Sequence, residues 1–206
     1  SPLNAAILAE KYGAHSVTIH LREDRRHIND LDLKKIKSKL RIPLNLEIAA
    51  TNEMLKIALR HKPNFVCIVP EKRQEITTEG GLNLNRNQNF LKKIISKLKK
   101  NKSRVSLFIE PSIEDIKISK KLNVDGIELH TGKICNLINK NKSFKSELSR
   151  IKKAVNLATK LGLDVHAGHG LTYKSAKIIS RIKKIKEFNI GHFLIGEAIF
   201  FGLPAV

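Results

Sequence analysis

Side chains suited to proton transfer and to phosphate binding are concentrated in residues 20–28, a stretch that follows a short β-branched run. His20 directly follows the apparent strand Ser16–Ile19, and Arg22 and His27 lie close behind it. An imidazole can act as an acid or a base near neutral pH, and the forked donors of arginine suit a phosphate. The alternative interpretation, from these residues alone, is a solvated turn whose charges neutralise one another.

Carboxylates within other apolar runs are further candidates for acid–base chemistry. Glu47 is surrounded by Leu46, Ile48 and two alanines, so we expect it either to point into the protein or to form a structural salt bridge, for example to Arg22. An inward carboxylate with restricted solvation has a raised pKa and can move protons. Glu128 and His130 share one face of a predicted strand, because residues two apart point the same way.

Glycine-rich segments accompany the last two predicted strands. Gly168-His-Gly170 lies at the end of the strand predicted over Leu163–His169, and Gly191 and Gly196 flank the strand predicted over His192–Ile195. Glycine lets the backbone approach an anion closely, so both loops are candidate phosphate sites. His166 and His169 also form an HxxH pair, but residues three apart point to opposite faces of a strand. A shared metal ion is therefore the weaker interpretation.

Strand and helix patterns alternate seven times along the chain, and the strands are apolar on both faces. This is the pattern of a parallel sheet covered by helices. One helix is predicted from Tyr173 to about Ile185, and the last is predicted to begin at Gly196. No helix is predicted directly after Thr131-Gly132. The next helix is predicted to begin at about Ser146.

The distribution of polar groups favours a (β/α)8 TIM barrel over an open doubly wound sheet. No GxGxxG sequence follows a strand, whereas nearly every predicted strand ends in its own polar cluster. A barrel of this type has eight strands and only seven are predicted. We therefore expect residues 1–206 to form a single, incomplete catalytic domain, with strand 1 and most of the last helix missing from this chain.

Bulk composition limits the other classes of protein. The chain carries 39 Lys and Arg against 19 Asp and Glu, a net charge of +20, which raises the possibility of a basic nucleic-acid-binding module. The excess is mostly lysine on helical stretches, and aromatic residues make up only 5%, which favours a solvated lysine coat. The two cysteines are not in a CxxC pattern, and no apolar run reaches the length of a membrane span, so we expect a cytoplasmic protein.

Seven motifs follow one another along the chain. They are residues 20–28 (HLREDRRHI), 45–47 (NLE), 69–75 (VPEKRQE), 77–81 (TTEGG), 128–132 (ELHTG), 167–172 (AGHGLT) and 189–192 (NIGH). In this order they resemble the motifs of the pyridoxine 5′-phosphate synthase family, the barrel enzymes of the deoxyxylulose-dependent vitamin B6 pathway. The resemblance covers essentially all 206 residues.

This resemblance implies a condensation of 1-deoxy-D-xylulose 5-phosphate with 3-amino-2-oxopropyl phosphate. The products would be pyridoxine 5′-phosphate, phosphate and water. His20 and Glu47 would be general bases, His169 the proton donor and Glu128 a group that stabilises a transition state. The first substrate would be bound by Arg22, His27 and Thr77, and the phosphate of the amino-ketone by Gly170, Gly191 and His192.

The resemblance also implies no metal or organic cofactor, no nucleic-acid or membrane partner, and a homo-oligomer built from dimers. Two departures from the family stand out. The substrate contacts of the family's first strand are absent, and His166 stands where the family more often has Asn. The alternatives left open by the residues are a metal-dependent hydrolase on a TIM barrel and a basic nucleic-acid-binding module.

Overall fold

A computed structural model describes residues 1–71 and 80–206 of the chain. Within these ranges seven strands form one sheet in sequence order, and every neighbouring pair is parallel. The strands are β1 (Val17–His20), β2 (Leu44–Ile48), β3 (Phe65–Ile68), β4 (Arg104–Ile109), β5 (Gly126–His130), β6 (Asp164–Gly168) and β7 (Glu187–Asn189).

The sheet curls into a nearly closed barrel, in agreement with the TIM-barrel prediction. β1 and β7 form its two edges, and the described residues show no backbone ladder between them. A side-chain hydrogen bond spans this seam, in which the Thr18 hydroxyl donates to Oδ1 of Asn189 at 3.0 Å. The curvature therefore brings the first and last strands into contact and gathers the carboxyl ends of all seven strands at one rim.

Nine α-helices of the described residues connect and cover the strands, and a short 3₁₀ helix spans Leu203–Ala205. Thr51 and Ser112 each cap a helix by accepting a backbone N–H, as expected for hydroxyl side chains at that position. The helices are α1 (Pro2–Lys11), α2 (Asp30–Lys39), α3 (Asn52–His61), α4 (Gln88–Lys100), α5 (Ile113–Lys121), α6 (Gly132–Asn139), α7 (Lys145–Lys160), α8 (Tyr173–Ile179) and α9 (His192–Phe201).

The two faces of each strand have different chemistry. Leu44, Leu46 and Ile48 of β2 are buried in the main hydrophobic core, which fills the layer between the sheet and the helices. Asn45 and Glu47, on the opposite face of the same strand, point into the barrel. The same alternation in the other strands brings polar side chains such as Glu128 into the barrel, beside a small apolar cluster of Cys67, Val69 and Phe108. The candidate site lies in this interior.

Three sequence-based predictions of secondary structure are wrong. The segment His192–Ile195 begins α9 rather than forming a strand, and the last strand is instead Glu187–Asn189. A uniformly apolar run of four residues has no periodicity that separates helix from strand, and here the run continues to Phe201 as a helix. Gly196 accordingly lies inside α9 and does not begin it.

The other two differences concern helix extent. α6 begins at Gly132, directly after β5, although no helix is predicted there. α8 ends at Ile179 rather than near Ile185. Among the described helices, none combines the length and apolar character that crossing a bilayer requires.

Candidate active site

The His20 imidazole lies between two carboxylates at the rim of the barrel. Its Nδ1 is 3.7 Å from Oε2 of Glu47, and its Nε2 is 3.7 Å from Oε2 of Glu71. Glu47 belongs to the strand beside β1, whereas Glu71 follows β3, one strand further on. Both distances are longer than a hydrogen bond, and Nε2 of His20 and Oε2 of Glu71 are buried without a hydrogen-bond partner among the described residues.

Burial prepares this pair for proton transfer. It lowers the pKa of His20 to about 4, with help from the charges of Arg22 and His27, so the imidazole is neutral at physiological pH. Burial raises the pKa of Glu47 to about 7, although 20% of its side chain remains exposed. A neutral imidazole beside a carboxyl group that titrates near neutrality is an arrangement that can accept and return protons.

Arg22 and Glu71 form the charged side of this cluster. Arg22 is 1% exposed, and its Nε lies 3.8 Å from Oε1 of Glu71 and 4.0 Å from Oδ1 of Asp24. Glu71 also accepts a hydrogen bond from the backbone N–H of Glu23 at 2.9 Å, yet burial raises its pKa. The sequence motifs include Glu71 but give it no role. Its contact with His20 depends on the ends of β1 and β3 lying near each other, which no local pattern reveals.

Glu128 is a buried acid in the middle of the barrel. Burial raises its pKa well above the usual value, and the charge of Glu47 raises it further. Its Oε2 accepts a hydrogen bond from Nδ2 of Asn189 at 2.7 Å and lies 3.8 Å from the thiol of Cys67. Burial therefore favours the neutral carboxylic acid form of Glu128, which can donate a hydrogen bond, and Oε1 is the oxygen that Asn189 and Cys67 do not contact.

A chain of side-chain hydrogen bonds connects Glu128 to the seam of the barrel. Asn45 donates to the Thr18 hydroxyl at 3.3 Å, Thr18 donates to Asn189, and Asn189 donates to Glu128. Because Thr18 occupies Oδ1 of Asn189, the amide is oriented with its N–H group toward the acid. The amide thus gives Glu128 a fixed donor.

A second group of residues surrounds His169, just after β6. The His169 ring lies 4.9 Å from the ring of His130, with their planes at 50°. Gly132 lies against both rings, since a Cβ there would be 2.7 Å from Nε2 of His130 and 2.8 Å from Cδ2 of His169. Gly170, which has a φ of +74°, packs against Gly132 and Cys135. His169 and Gly170 are thus adjacent to the N-terminus of α6.

The remaining predicted substrate contacts lie at the rim. Gly191 and His192 are exposed at the N-terminus of α9, with Gly191 as the residue before the helix. The ring of Phe193 packs on Tyr173 of α8 at 4.8 Å, which connects this helix to its neighbour. His27 is exposed in the loop after β1, whereas Thr77 lies outside the described residues.

His166 and His169 do not act as a pair in this structure. His166 lies 3.8 Å from Glu187 of the neighbouring strand, while His169 contacts His130 after the strand has ended. Within residues 1–71 and 80–206, no three His, Cys, Asp or Glu side chains are grouped as a metal ion would need them. The two histidines of the HxxH sequence therefore have different partners in the barrel and do not form a common site.

The chain forms a parallel barrel, and imidazoles and carboxyl groups lie at the carboxyl ends of its strands. These features define the class of protein as an enzyme with the TIM-barrel fold. Within that class the chain belongs to the family described as "Pyridoxal phosphate biosynthesis protein PdxJ", whose model matches residues 1–206. The resemblance drawn from the motifs is confirmed.

Two bacterial relatives illustrate the similarity. A protein of Pelagibacter ubique named "Pyridoxine 5'-phosphate synthase" is 58% identical over 202 residues, which cover 98% of this chain and 84% of that protein. A protein of the same name from Zymomonas mobilis is 54% identical over 204 residues, covering 99% of this chain and 79% of its own. Neither name supports a metal-dependent hydrolase or a nucleic-acid-binding module.

Solved structures of similar shape support the fold. The YdjI aldolase of Escherichia coli K12 has a TM-score of 0.63 at 14% identity, covering 99% of this chain and 79% of that one. Phosphoribosyl anthranilate isomerase from Thermus thermophilus has a TM-score of 0.61 at 12% identity, covering 91% and 82%. At this level of identity the likeness concerns the barrel alone.

Proposed function

We propose that this protein is a pyridoxine 5′-phosphate synthase. It condenses 1-deoxy-D-xylulose 5-phosphate with 3-amino-2-oxopropyl phosphate, closes the pyridine ring, and releases phosphate and water. The observation that carries the proposal is the neutral His20 imidazole between the carboxyl groups of Glu47 and Glu71, beside the buried guanidinium of Arg22. Family membership and the names of the relatives support pyridoxine 5′-phosphate as the product. The two substrates are those that the resemblance of the motifs implies.

The reaction needs several proton transfers, and the site holds acids and bases with different pKa values. His20 and Glu47 act as general bases, because the first is neutral and the second ionises near neutral pH. Glu128, whose pKa is raised by burial, donates a hydrogen bond to charge that develops in a transition state. His169 donates a proton to a leaving group. Because these groups are held in position, the successive proton transfers do not depend on encounters with acids and bases from solution.

The two phosphate groups of the substrates need two anion sites. Arg22, His27 and Thr77 bind 1-deoxy-D-xylulose 5-phosphate, and the buried Arg22 supplies the strongest of these charges. Gly170, Gly191 and His192 bind the phosphate of the amino-ketone. The start of α9 at His192 supports this assignment, because exposed backbone N–H groups at a helix N-terminus favour an anion.

Three further properties belong to the same proposal. Residues 1–206 act as one catalytic domain, which the single continuous sheet supports. The protein works in the cytoplasm, where the free thiols of Cys67 and Cys135 stay reduced, and it uses neither a metal ion nor an organic cofactor. It forms a homo-oligomer built from dimers, for which the exposed apolar side chains of Ile199 and Phe200 on α9 offer contact area.

Incubation of the purified chain with both substrates tests the function directly. We expect pyridoxine 5′-phosphate and inorganic phosphate to appear in equal amounts, measured by chromatography and a phosphate assay. His20→Asn should lower the rate by about 10²–10⁴-fold, as for the loss of a general base. His15→Asn is the matched control, since His15 is an exposed histidine on the loop before β1.

Absence of product from the unmodified chain with both substrates present would contradict the proposal that residues 1–206 act as one catalytic domain for this reaction. Retention of DNA or RNA at physiological salt, unaffected by the two substrates, would instead favour the nucleic-acid-binding alternative. A normal rate in His20→Asn would leave the reaction in place and remove His20 from the mechanism.

A further inference from the structure

The His130 imidazole is anchored on one side by a carboxylate that the proposed mechanism does not use. Its Nδ1 lies 2.7 Å from Oε1 of Glu110, the residue that follows β4. The hydrogen bond with His130 lowers the pKa of Glu110 to about 2. Glu110 is itself fixed, since it accepts the backbone N–H of Gly81 at 3.2 Å and its Oε2 lies 3.3 Å from a guanidinium nitrogen of Arg150.

The other side of the same ring faces His169. Nε2 of His130 is buried and has no hydrogen-bond partner among the described residues, and Gly132 lies directly against it. The His169 ring packs at 4.9 Å from the His130 ring, and Phe108 packs against His130 edge-on at 5.4 Å. His130 therefore lies beneath His169, with Phe108 and Glu110 fixing its own position.

This support matters because His169 follows the strand in a conformation that its own backbone does not favour. His169 has a φ of +76°, in the left-handed region that side chains other than glycine rarely adopt. The Thr131 hydroxyl lies 2.7 Å from the carbonyl oxygens of both Gly168 and His169, so it holds the backbone. The Thr131 contacts fix the main chain of His169, and its side chain packs against the ring of His130.

We propose that His130, held by Glu110, is a positioning residue that fixes the orientation of the His169 imidazole for proton donation. The inference rests on the proposed function, in which His169 is the proton donor. Glu110 orients the His130 imidazole, and His130 acts on the reaction only through its packing against His169. Misplacement of a reacting group by about 1 Å can cost roughly 10²-fold in rate, which gives such a support a kinetic effect.

Steady-state kinetics of four variants test the proposal. Glu110→Ala and His130→Ala should each lower kcat by about 10–100-fold and leave KM for both substrates within about threefold. The double variant should be no slower than the slower single variant, because the two side chains act as one unit. Glu110→Gln should retain most of the rate, since its amide oxygen still accepts a hydrogen bond from Nδ1.

The matched control is Glu147→Gln. Glu147 is a buried carboxylate that pairs with the same Arg150 but makes no described contact with His130. It should leave kcat unchanged. Multiplicative losses in the double variant, or losses that appear only in KM, would overturn the proposal. If the alanine variants do not fold, as judged by thermal melting, His130→Phe keeps the ring volume, loses the hydrogen bond to Glu110, and should show the same loss of kcat.

A spectroscopic measurement separates this inference from the proposed function. The proton signals of the His169 ring, assigned with His169→Asn, carry the ring-current shift of His130 and should move in Glu110→Ala but not in Glu147→Gln. If the chain makes no product and the signals still move, the proposed function fails and the anchoring of His169 through His130 stands. If the chain makes product and the signals do not move, the anchoring is wrong.

Discussion

Glu47 is the residue whose titration should control the rate. Its pKa of about 7 means that the carboxylate needed for a general base forms as the pH rises through neutrality, whereas His20, with a pKa of about 4, is already neutral there. We expect kcat/KM to rise with pH along a limb centred near 7. Because Glu47 and Glu128 interact, this value belongs to the pair rather than to one side chain.

Replacing Glu47 by Gln should remove that limb and lower the rate by about 10²–10⁴-fold. The measurement is a pH–rate profile from about pH 5 to pH 9, with Glu114→Gln, an exposed glutamate on α5, as the control. A variant that kept the same acidic limb as the parent would show that another group produces it.

At the residue scale, the sequence was informative wherever a polar side chain stood alone in an apolar run. The apolar neighbours of Glu47 predicted either an inward carboxylate or a salt bridge, for example to Arg22, and the strand period placed Glu128 and His130 on one strand face. Glu71, Glu110 and Asn189 acquire their partners through strands that are distant in sequence. Their contacts depend on the closure of the barrel, so no local pattern could predict them.

At the scale of single elements, Gly168 decides how closely β6 can pass Glu128. A Cβ at this position would collide with Oε1 of the acid, and it would also approach Cβ of Asn189 at 3.4 Å. Gly168→Ala should lower the free energy of unfolding by about 1–3 kcal/mol and displace Glu128, with a loss of rate. Chemical denaturation followed by circular dichroism measures the first effect.

The comparison variant is Gly196→Ala in α9, where a Cβ would meet no atom within 4 Å. There the substitution should stabilise the helix by up to about 1 kcal/mol, because alanine loses less conformational entropy than glycine. Equal effects of the two substitutions would contradict the steric explanation for Gly168.

The elements themselves were mostly predictable, and the failures have a shared cause. The alternation of apolar runs with helical periods identified the seven strand–helix repeats. The error at His192–Ile195 arose because a short apolar run fits a buried strand and a buried helix equally well. α6 was missed because it begins in the same ELHTG segment that carries functional residues, where a helix start has no separate signal.

At the scale of the whole molecule, the net charge of +20 should favour the capture of anionic substrates. We expect kcat/KM for both phosphorylated substrates to fall several-fold as the ionic strength approaches the physiological range, where the screening length is about 8 Å. The value of kcat should change little, since Glu128 is buried and no more than about a fifth of the His20 and Glu47 side chains is exposed. The control is an equal osmolarity of a neutral solute, and a salt effect confined to kcat would argue against steering.

The seam between β1 and β7 gives the barrel a mechanical sensitivity. Asn189 holds Thr18 across the seam with one end of its amide and Glu128 with the other. The hydrogen bond from Asn189 lowers the pKa of Glu128. A larger separation of β1 and β7 that weakens this bond should therefore raise that pKa. A molecule or subunit that holds β1 and β7 together would then change the rate through the pKa of Glu128, without contacting a substrate.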